Sequence, residues 1–193
     1  MATAVEICNL ALSSIGKTTI NDLIEPIEEA RQCNLHFHQT RRSLFSGNYP
    51  WAVSRRRQAL AVLANDNSDI WKFCYSVPNN MLKMIGVEYC GQMPVVPIPY
   101  EIIGEKIYCN IETAFIRFVV DVDDSAKLPP TFVEAYWSAL AARVAFPLTK
   151  DKGVQRDAAQ IAMQLRLMNE ASDANNDINM VSQHSEYYEG RLS

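Results

Sequence analysis

Five of the eleven arginines in the chain lie between residues 41 and 57, beside an aromatic pair. Arginine binds carboxylates and phosphates through a planar fork and also stacks on aromatic rings. Arginine next to tyrosine and tryptophan is typical of subunit interfaces, and arginine also contacts the phosphates of nucleic acids. A solvated basic turn is the third interpretation. We call this group the arginine corner; it consists of Arg41, Arg42, Tyr49, Trp51, Arg55, Arg56 and Arg57.

Two other groups of side chains have types that could support catalysis or metal binding. His36 and His38 are two residues apart, and on a helix such positions point about 200° apart, which disfavours a shared metal ion. Asp121, Asp123 and Asp124 form a carboxylate cluster, and glycoside hydrolysis needs two carboxylates about 5–10 Å apart across a cleft. A polar loop after a strand is the other interpretation of that cluster. The sequence predicts no catalytic residue, no metal site and no cofactor.

The bulk composition favours an ordinary soluble domain. The chain has 193 residues, is 48% hydrophobic and carries a net charge of −4, with a pI of about 5.4. This length suits one domain, or one domain with an insert. The acidic balance counts against a dedicated DNA-binding regulator, which is usually basic. A DNA-binding regulator built on the arginine corner therefore ranks behind the other functions considered below.

The cysteines and the hydropathy pattern indicate where the chain is made. Five cysteines, an odd number without C-x-x-C spacing, predict free thiols in a reducing cytoplasm. We expect no signal peptide at the start of the sequence and no membrane insertion, because no apolar run approaches 18 residues.

Helix signals occur at both ends of the sequence. Residues 3–15 have a possible capping box at Thr3 and Glu6, and a second predicted helix follows Pro26. Pro129-Pro130 precedes a third predicted helix, which Pro147 is expected to end. A fourth is expected from about Asp151. Its predicted apolar stripe consists of Val154, Ala158, Ile161, Leu165 and Met168.

The middle of the chain has strand signals. Trp71, Phe73 and Tyr75 alternate with polar or small residues, which is typical of a strand. Gly104-Glu105 separates two β-rich runs and predicts a two-residue type II′ hairpin. We therefore expect a small antiparallel sheet over residues 70–122.

These elements together predict an α+β fold, in which a bundle of N- and C-terminal helices carries an inserted small antiparallel β-sheet. Residues 1–69 with 123–170 are expected to form the helical bundle, and residues 70–122 the insert. The segment 171–193 has few core-forming residues. It is expected to be a flexible tail, or one that folds on a partner.

Four stretches, in order along most of the chain, resemble the tail tubular protein A family, the head-to-tail adaptors or gatekeepers of short-tailed bacteriophages. They are EICNLALSSIG (6–16), EARQCNLHFHQTRRSLFSGNYPWAVSRRR (29–57), WKFCYSVPNNMLKMIGV (71–87) and LPPTFVEAYWSALAARVAF (128–146). The resemblance implies a structural virion protein with a helical bundle and a β insert. The family carries no catalytic set that maps onto this sequence.

The resemblance also implies partners. Members form a dodecameric ring beneath the portal protein and above the tail nozzle (tail tubular protein B), near the tail fibres, and the genomic DNA passes through the ring's bore. The implied localisation is the virion tail, after synthesis in the host cytoplasm. The alternative function is a bifunctional tail protein that adds carbohydrate-cleaving activity toward the host envelope.

The site candidates follow from these expectations. In a ring each subunit meets its neighbours through two different surfaces, and the arginine corner supplies the candidates for the subunit interface. Its arginines are expected to form pairs between subunits or within one subunit, and some are expected to reach the bore. The tail is the predicted contact to the portal. Its candidate residues are Asn176, Ile178, Met180, Tyr187, Tyr188 and Arg191.

Overall fold

The computed structural model describes residues 2–89 and 98–177 and has the predicted α+β fold. The helices are α1 (Ala4–Ser14), α2 (Glu28–Phe45), α3 (Pro130–Thr149) and α4 (Lys152–Asp177), with short 3₁₀ helices at Ala52–Ser54 and Ser125–Lys127. The strands are β1 (Arg55–Ala59), β2 (Val62–Leu63), β3 (Phe73–Ser76), β4 (Met81–Tyr89), β5 (Tyr100–Ile103), β6 (Lys106–Cys109) and β7 (Ala114–Val120).

Helix α3 is the centre of the helical part, and α1, α2 and α4 all pack against it. Its buried side chains include Phe132, Tyr136 and Leu140, none of which is measurably exposed. Phe132 stacks on Phe45 of α2 with ring centroids 4.3 Å apart. The Tyr136 hydroxyl donates a hydrogen bond of 2.7 Å to the Phe37 carbonyl, so the buried phenol is satisfied. The first and last helices of the sequence therefore share one core.

The start of α1 confirms the predicted capping box. The Thr3 hydroxyl accepts a hydrogen bond of 3.1 Å from the Glu6 amide, and the Glu6 carboxylate accepts one of 2.7 Å from the Thr3 amide. Two amides that have no partner inside the helix are thereby satisfied. This cap fixes where α1 begins and so which of its residues face α3.

The end of α3 differs from the prediction that Pro147 stops the helix. Pro147 lies inside the last turn, and the helix continues to Thr149. Proline removes one amide donor, but a helix that is held by packing along its whole length tolerates that loss near its end. Lys150 then turns the chain into α4 with a φ of 57°, in the left-handed region.

Lys150→Gly is expected to stabilise the fold by about 1 kcal/mol, because glycine adopts the left-handed conformation without a steric cost from Cβ. Urea denaturation would measure the gain. The matched control is Lys152→Gly at the start of α4, which is expected to give no such gain because helical backbone disfavours glycine. A loss of stability in Lys150→Gly would contradict this account of the turn.

The strands form two antiparallel sheets rather than the one that was predicted. The first has the order β1-β7-β4 and the second the order β2-β3-β6-β5. Strands β1 and β2 lie before residue 70, so the β part begins earlier than the predicted insert. The sequence RRRQA of β1 has no apolar alternation, and its strand conformation depends on pairing with β7 from Arg55 opposite Val119 to Ala59 opposite Phe115.

The β5–β6 hairpin has the predicted two-residue loop, since Ile103 pairs with Lys106. Gly104 has a φ of 59°, whereas Glu105 has a negative φ. A positive φ at the first loop position alone is the signature of a type II′ turn.

Asp66 attaches the loop before β3 to strand β6. Its carboxylate accepts hydrogen bonds of 2.6 Å from the Lys106 ammonium and 2.6 Å from the Tyr108 hydroxyl. The hydrogen bonds from Lys106 and then Tyr108 lower the pKa of Asp66 from 3.8 to about 2. The contact therefore stabilises the folded state only while the carboxylate is ionised.

Replacing Asp66 by asparagine is expected to lower stability above pH 4 but not near pH 2. The folded pKa lies below the unfolded one, so the contribution is complete above pH 3.8 and disappears as the pH falls through about 2. Urea midpoints of the wild type and of Asp66→Asn should converge over that window. Asp69→Asn is the control at an exposed aspartate of the same loop. A gap that persists to pH 2 would refute the account.

Helix α4 differs from its prediction in both its length and its buried face. It continues to Asp177, so the first residues of the predicted tail are helical. Ile161 and Met168 from the predicted stripe are 49% and 60% exposed, whereas Asn169 and Asp173 are buried. Helix α4 packs chiefly on α3, and hydrogen bonds satisfy the two buried polar residues, the first with α3 and the second with the segment that follows α2.

The cysteines of the described ranges are buried free thiols. Cys8 on α1 and Cys33 on α2 are both inaccessible to solvent, and Cys74 and Cys109 are buried in the second sheet. A hydrogen bond with Cys33, together with burial, raises the pKa of the Cys8 thiol. Cys90 lies outside the described residues. None of the helices described here is both long and apolar enough to cross a membrane.

Candidate functional site at the arginine corner

Arg41 lies inside the chain, with 4% of its surface exposed. Its guanidinium donates two hydrogen bonds to the Asp121 carboxylate, at 2.8 Å from Nε and 3.0 Å from Nη2. Nη1 donates a third, of 3.2 Å, to the Asp123 carbonyl. This fork-to-fork pairing joins α2 to the segment that leaves β7. Arg41 is thus committed to an internal contact.

Trp51 and Tyr49 attach the corner to the two C-terminal helices. Trp51 is completely buried and packs edge-on against Phe132 of α3, with centroids 5.1 Å apart. The Tyr49 hydroxyl donates a hydrogen bond of 2.8 Å to the Asp173 carboxylate of α4. The same carboxylate oxygen accepts one of 2.9 Å from the Ala52 amide. Trp51 therefore belongs to the core and is not accessible to a partner.

Arg57 belongs to a charged cluster on the first sheet. The Glu88 side chain is 8% exposed, and its carboxylate forms ion pairs with two arginines. Its oxygens lie 3.1 Å from Nε of Arg57 and 3.0 Å from Nη1 of Arg117. The Arg57 guanidinium also lies 4.2 Å from the centre of the Phe115 ring, a cation–π contact. These contacts fix three neighbouring strands to each other. Arg57 still has 45% of its side chain exposed.

The exposed members of the corner are Arg42 and Arg56. Arg42 is 62% exposed and lies 3.7 Å from the Asp121 carboxylate. Arg56 is exposed and donates from Nη1 to the carbonyls of Val53 and Arg55. Arg55 itself is half-buried at the start of β1. If the corner contacts a partner, Arg42, Arg56 and the exposed part of Arg57 are the groups that reach it.

Sequence reasoning identified the corner but not its internal partners. The sequence indicates Asp121 only as part of a carboxylate cluster after a strand, and it does not mark Glu88 or Asp173 as partners of the corner. The signal that could have found Asp121 is its place directly after an apolar strand, where a carboxylate is close to the core. Asp173 sits in a polar run of the sequence, and nothing local marks it as buried.

The carboxylates of the predicted cluster do not face each other across a cleft. Asp121 is bound by Arg41, and Asp124 pairs with Lys127 at 3.2 Å. Cavities of about 270, 540, 320 and 160 Å³ are bounded by described residues, and each of these is lined by at most one carboxylate. This arrangement does not favour glycoside hydrolysis.

The histidine pair also takes no part in a cluster. His36 is half-buried, and burial followed by the nearby Arg143 charge lowers its pKa. His38 is exposed and lies edge-on to Phe37. Within residues 2–89 and 98–177, no three histidine, cysteine or acidic side chains are grouped so that they could bind one metal ion.

The predicted portal contact falls mostly outside the described ranges. Asn176 is an exposed residue of the last turn of α4. The other candidates lie beyond the described residues: Ile178, Met180, Tyr187, Tyr188 and Arg191. The assignment of these residues to a portal contact stays a prediction.

The comparisons with known proteins add no family assignment. The chain matches no protein-family model. No curated protein resembles it closely enough to count as a match.

Proposed function

We propose that the chain is a head-to-tail adaptor of the tail tubular protein A type, a ring-forming structural protein of a short-tailed phage. The observation that carries the proposal is the architecture. Helices from both ends of the sequence pack around α3, while the strands between them form antiparallel sheets. This is the arrangement that the four resembling stretches imply, and their residues occupy α1, α2, β3–β4 and α3.

The charge distribution is compatible with a DNA channel. A strongly basic bore would bind the duplex through counterion release and slow its passage. In this chain Arg41, Arg57 and Arg117 are paired with carboxylates of the same chain, and the net charge is −4. We propose that the genome passes a nearly neutral or acidic wall. A bore lined continuously by arginine and lysine in the assembled ring would contradict this part of the proposal.

The proposed partners are the portal protein above the ring and the tail nozzle protein below it. The C-terminal segment from Asn176 onward is proposed to contact the portal, and tail fibres are proposed as neighbours of the ring. The proposed ring is dodecameric and the proposed location is the virion tail.

Binding to the portal tests the function. Portal rings from the genome that encodes this chain would be mixed with the purified protein, and light scattering would give the mass of the complex. The proposal predicts a portal complex enlarged by a fixed number of copies. A chain that leaves the mass of the portal ring unchanged would refute it. An unrelated ring protein of similar size serves as the control for non-specific adsorption.

A further inference from the structure

A groove runs along α3 between α1 and α4. It consists of two cavities of about 270 and 540 Å³, which share Trp137 as a lining residue. Ser14 and Ile15 of α1 lie on one side, and Val154 and Ile161 of α4 lie on the other. Helices α1 and α4 both pack on α3 but make few contacts with each other, which leaves the groove open.

Exposed apolar side chains lie in or beside the groove, of which Ile161 is a lining residue. Ile161 and Met168 of α4 are 49% and 60% exposed. Leu10 of α1 is 47% exposed and lies one helical turn before Ser14, on the same side of its helix. Exposed apolar residues that border a groove on a folded domain are typical of a docking site.

The charged groups of the groove are acidic. Glu134 lines one cavity and Asp157 the other, and no lysine, arginine or histidine is among the lining residues. Glu134 and Ala141 are two turns apart on α3, and Ala141 lines the same cavity as Asp157. The two carboxylates therefore lie in neighbouring cavities that meet at Trp137. An occupant that fits this surface has an apolar side chain flanked by cations.

The outward face of α2 has this chemistry. Arg31, Leu35, His38 and Arg42 follow each other at helical spacing, and all four are exposed. Leu35 is 65% exposed, and the side chains of Arg31 and Arg42 are 69% and 62% exposed. The ion pairs of Arg31 with Glu28 and of Arg42 with Asp121 involve exposed guanidinium groups and are therefore weak. Helix α2 contributes no lining residue to the groove, so both surfaces are present on one chain at different places.

We propose that α2 of one copy docks into the α1–α3–α4 groove of a second copy. Leu35 contacts the apolar floor at Trp137, and Arg31 and Arg42 pair with the groove carboxylates. The contact joins two different surfaces and can therefore repeat from subunit to subunit. This inference rests on the proposed ring-forming function and identifies the surfaces that would build the ring.

Charge reversal on each surface tests the contact in the full chain. One variant carries Arg31→Glu and Arg42→Glu, and the other carries Glu134→Lys and Asp157→Lys. Sedimentation equilibrium would follow self-association over a concentration series up to about 1 mM. We expect the wild type to associate progressively and each variant to associate at least about 100-fold more weakly, since like charges then meet.

Mixing the two variants gives the sharpest result. In the mixture the two intact surfaces can pair, and the two reversed surfaces again carry opposite charges, so the mixture should associate progressively although neither variant does so alone. Lys72→Glu with Arg156→Glu is the control for the α2 variant, because it makes the same charge change as that variant at exposed residues outside both surfaces and should associate like the wild type. Leu35→Asp is a second α2 variant that breaks no ion pair and should also weaken association.

Three results would overturn the contact: a wild type that stays monomeric throughout the series, variants that associate as the control does, or a mixture that associates no better than either variant alone. Binding of the chain to the portal is measured separately. A chain that binds the portal but fails these tests would keep its adaptor function and lose only this assignment of surfaces.

Discussion

Replacing Trp51 by alanine is expected to cost about 3–5 kcal/mol of folding free energy, the range for a large aromatic side chain removed from a core. Trp51 is completely buried and packs edge-on against Tyr49 and Phe132. The cavity left behind would lie between the arginine corner and α3. Because a domain of this kind is stable by only about 5–15 kcal/mol, urea denaturation should show a large drop in the midpoint.

Trp51→Phe is the matched control and is expected to cost only about 1–2 kcal/mol. Phenylalanine keeps most of the ring contacts. It also removes the indole N–H, which has no acceptor among the described residues, so part of the lost packing is offset. If Trp51→Ala were as stable as the wild type while association with partners was lost, Trp51 would be an interface residue rather than a core residue.

Replacing Asp121 by alanine is expected to destabilise the fold by about 3 kcal/mol. The change leaves the Arg41 guanidinium, which is 4% exposed, without its carboxylate. Removing one partner of a buried ion pair costs about 3–5 kcal/mol, and we take the lower end because the Asp121 side chain is 26% exposed and water can reach the site. Chemical denaturation at neutral pH measures the loss.

Asp123→Ala is the control for Asp121→Ala. Arg41 binds the carbonyl of Asp123, not its carboxylate, so the alanine variant retains that contact and should lie within about 0.5 kcal/mol of the wild type. The double variant Arg41→Met, Asp121→Leu should be more stable than Asp121→Ala, because no unpaired charge is then buried. Equal losses in the single and double variants would show that packing, not charge, accounts for the effect.

The elements that could be predicted are those fixed by local chemistry. The capping box at Thr3 and Glu6 satisfies amides that any helix leaves open, so the start of α1 follows from four residues. The Gly104 turn follows from glycine's access to positive φ. In both cases the determining groups are close together in sequence.

The elements that could not be predicted depend on distant partners. Strand β1 contains three consecutive arginines and is held by β7, some sixty residues further along the chain. In α4 the apolar residues Ile161 and Met168 are exposed while Asn169 and Asp173 are buried. Hydrophobic periodicity assumes that a helix faces a core with its apolar side, and it fails for a helix whose apolar residues border an open groove.

The candidate site could be predicted in composition but not in geometry. The clustering of arginine with Tyr49 and Trp51 is visible in the sequence. Which of these side chains are internal depends on Asp121 and Asp173, which lie 80 and 124 residues from Arg41 and Tyr49. Pairing over such separations leaves no local pattern, so the buried and the exposed members of the corner could not be distinguished.

Electron cryomicroscopy of the chain mixed with portal rings tests the central claim most directly. The adaptor account predicts a closed ring of copies that is coaxial with the portal and surrounds a channel wide enough for duplex DNA. Copies bound singly around the portal, or portal rings without additional density, would contradict the account. In that case a screen for glycan hydrolysis would be the next experiment.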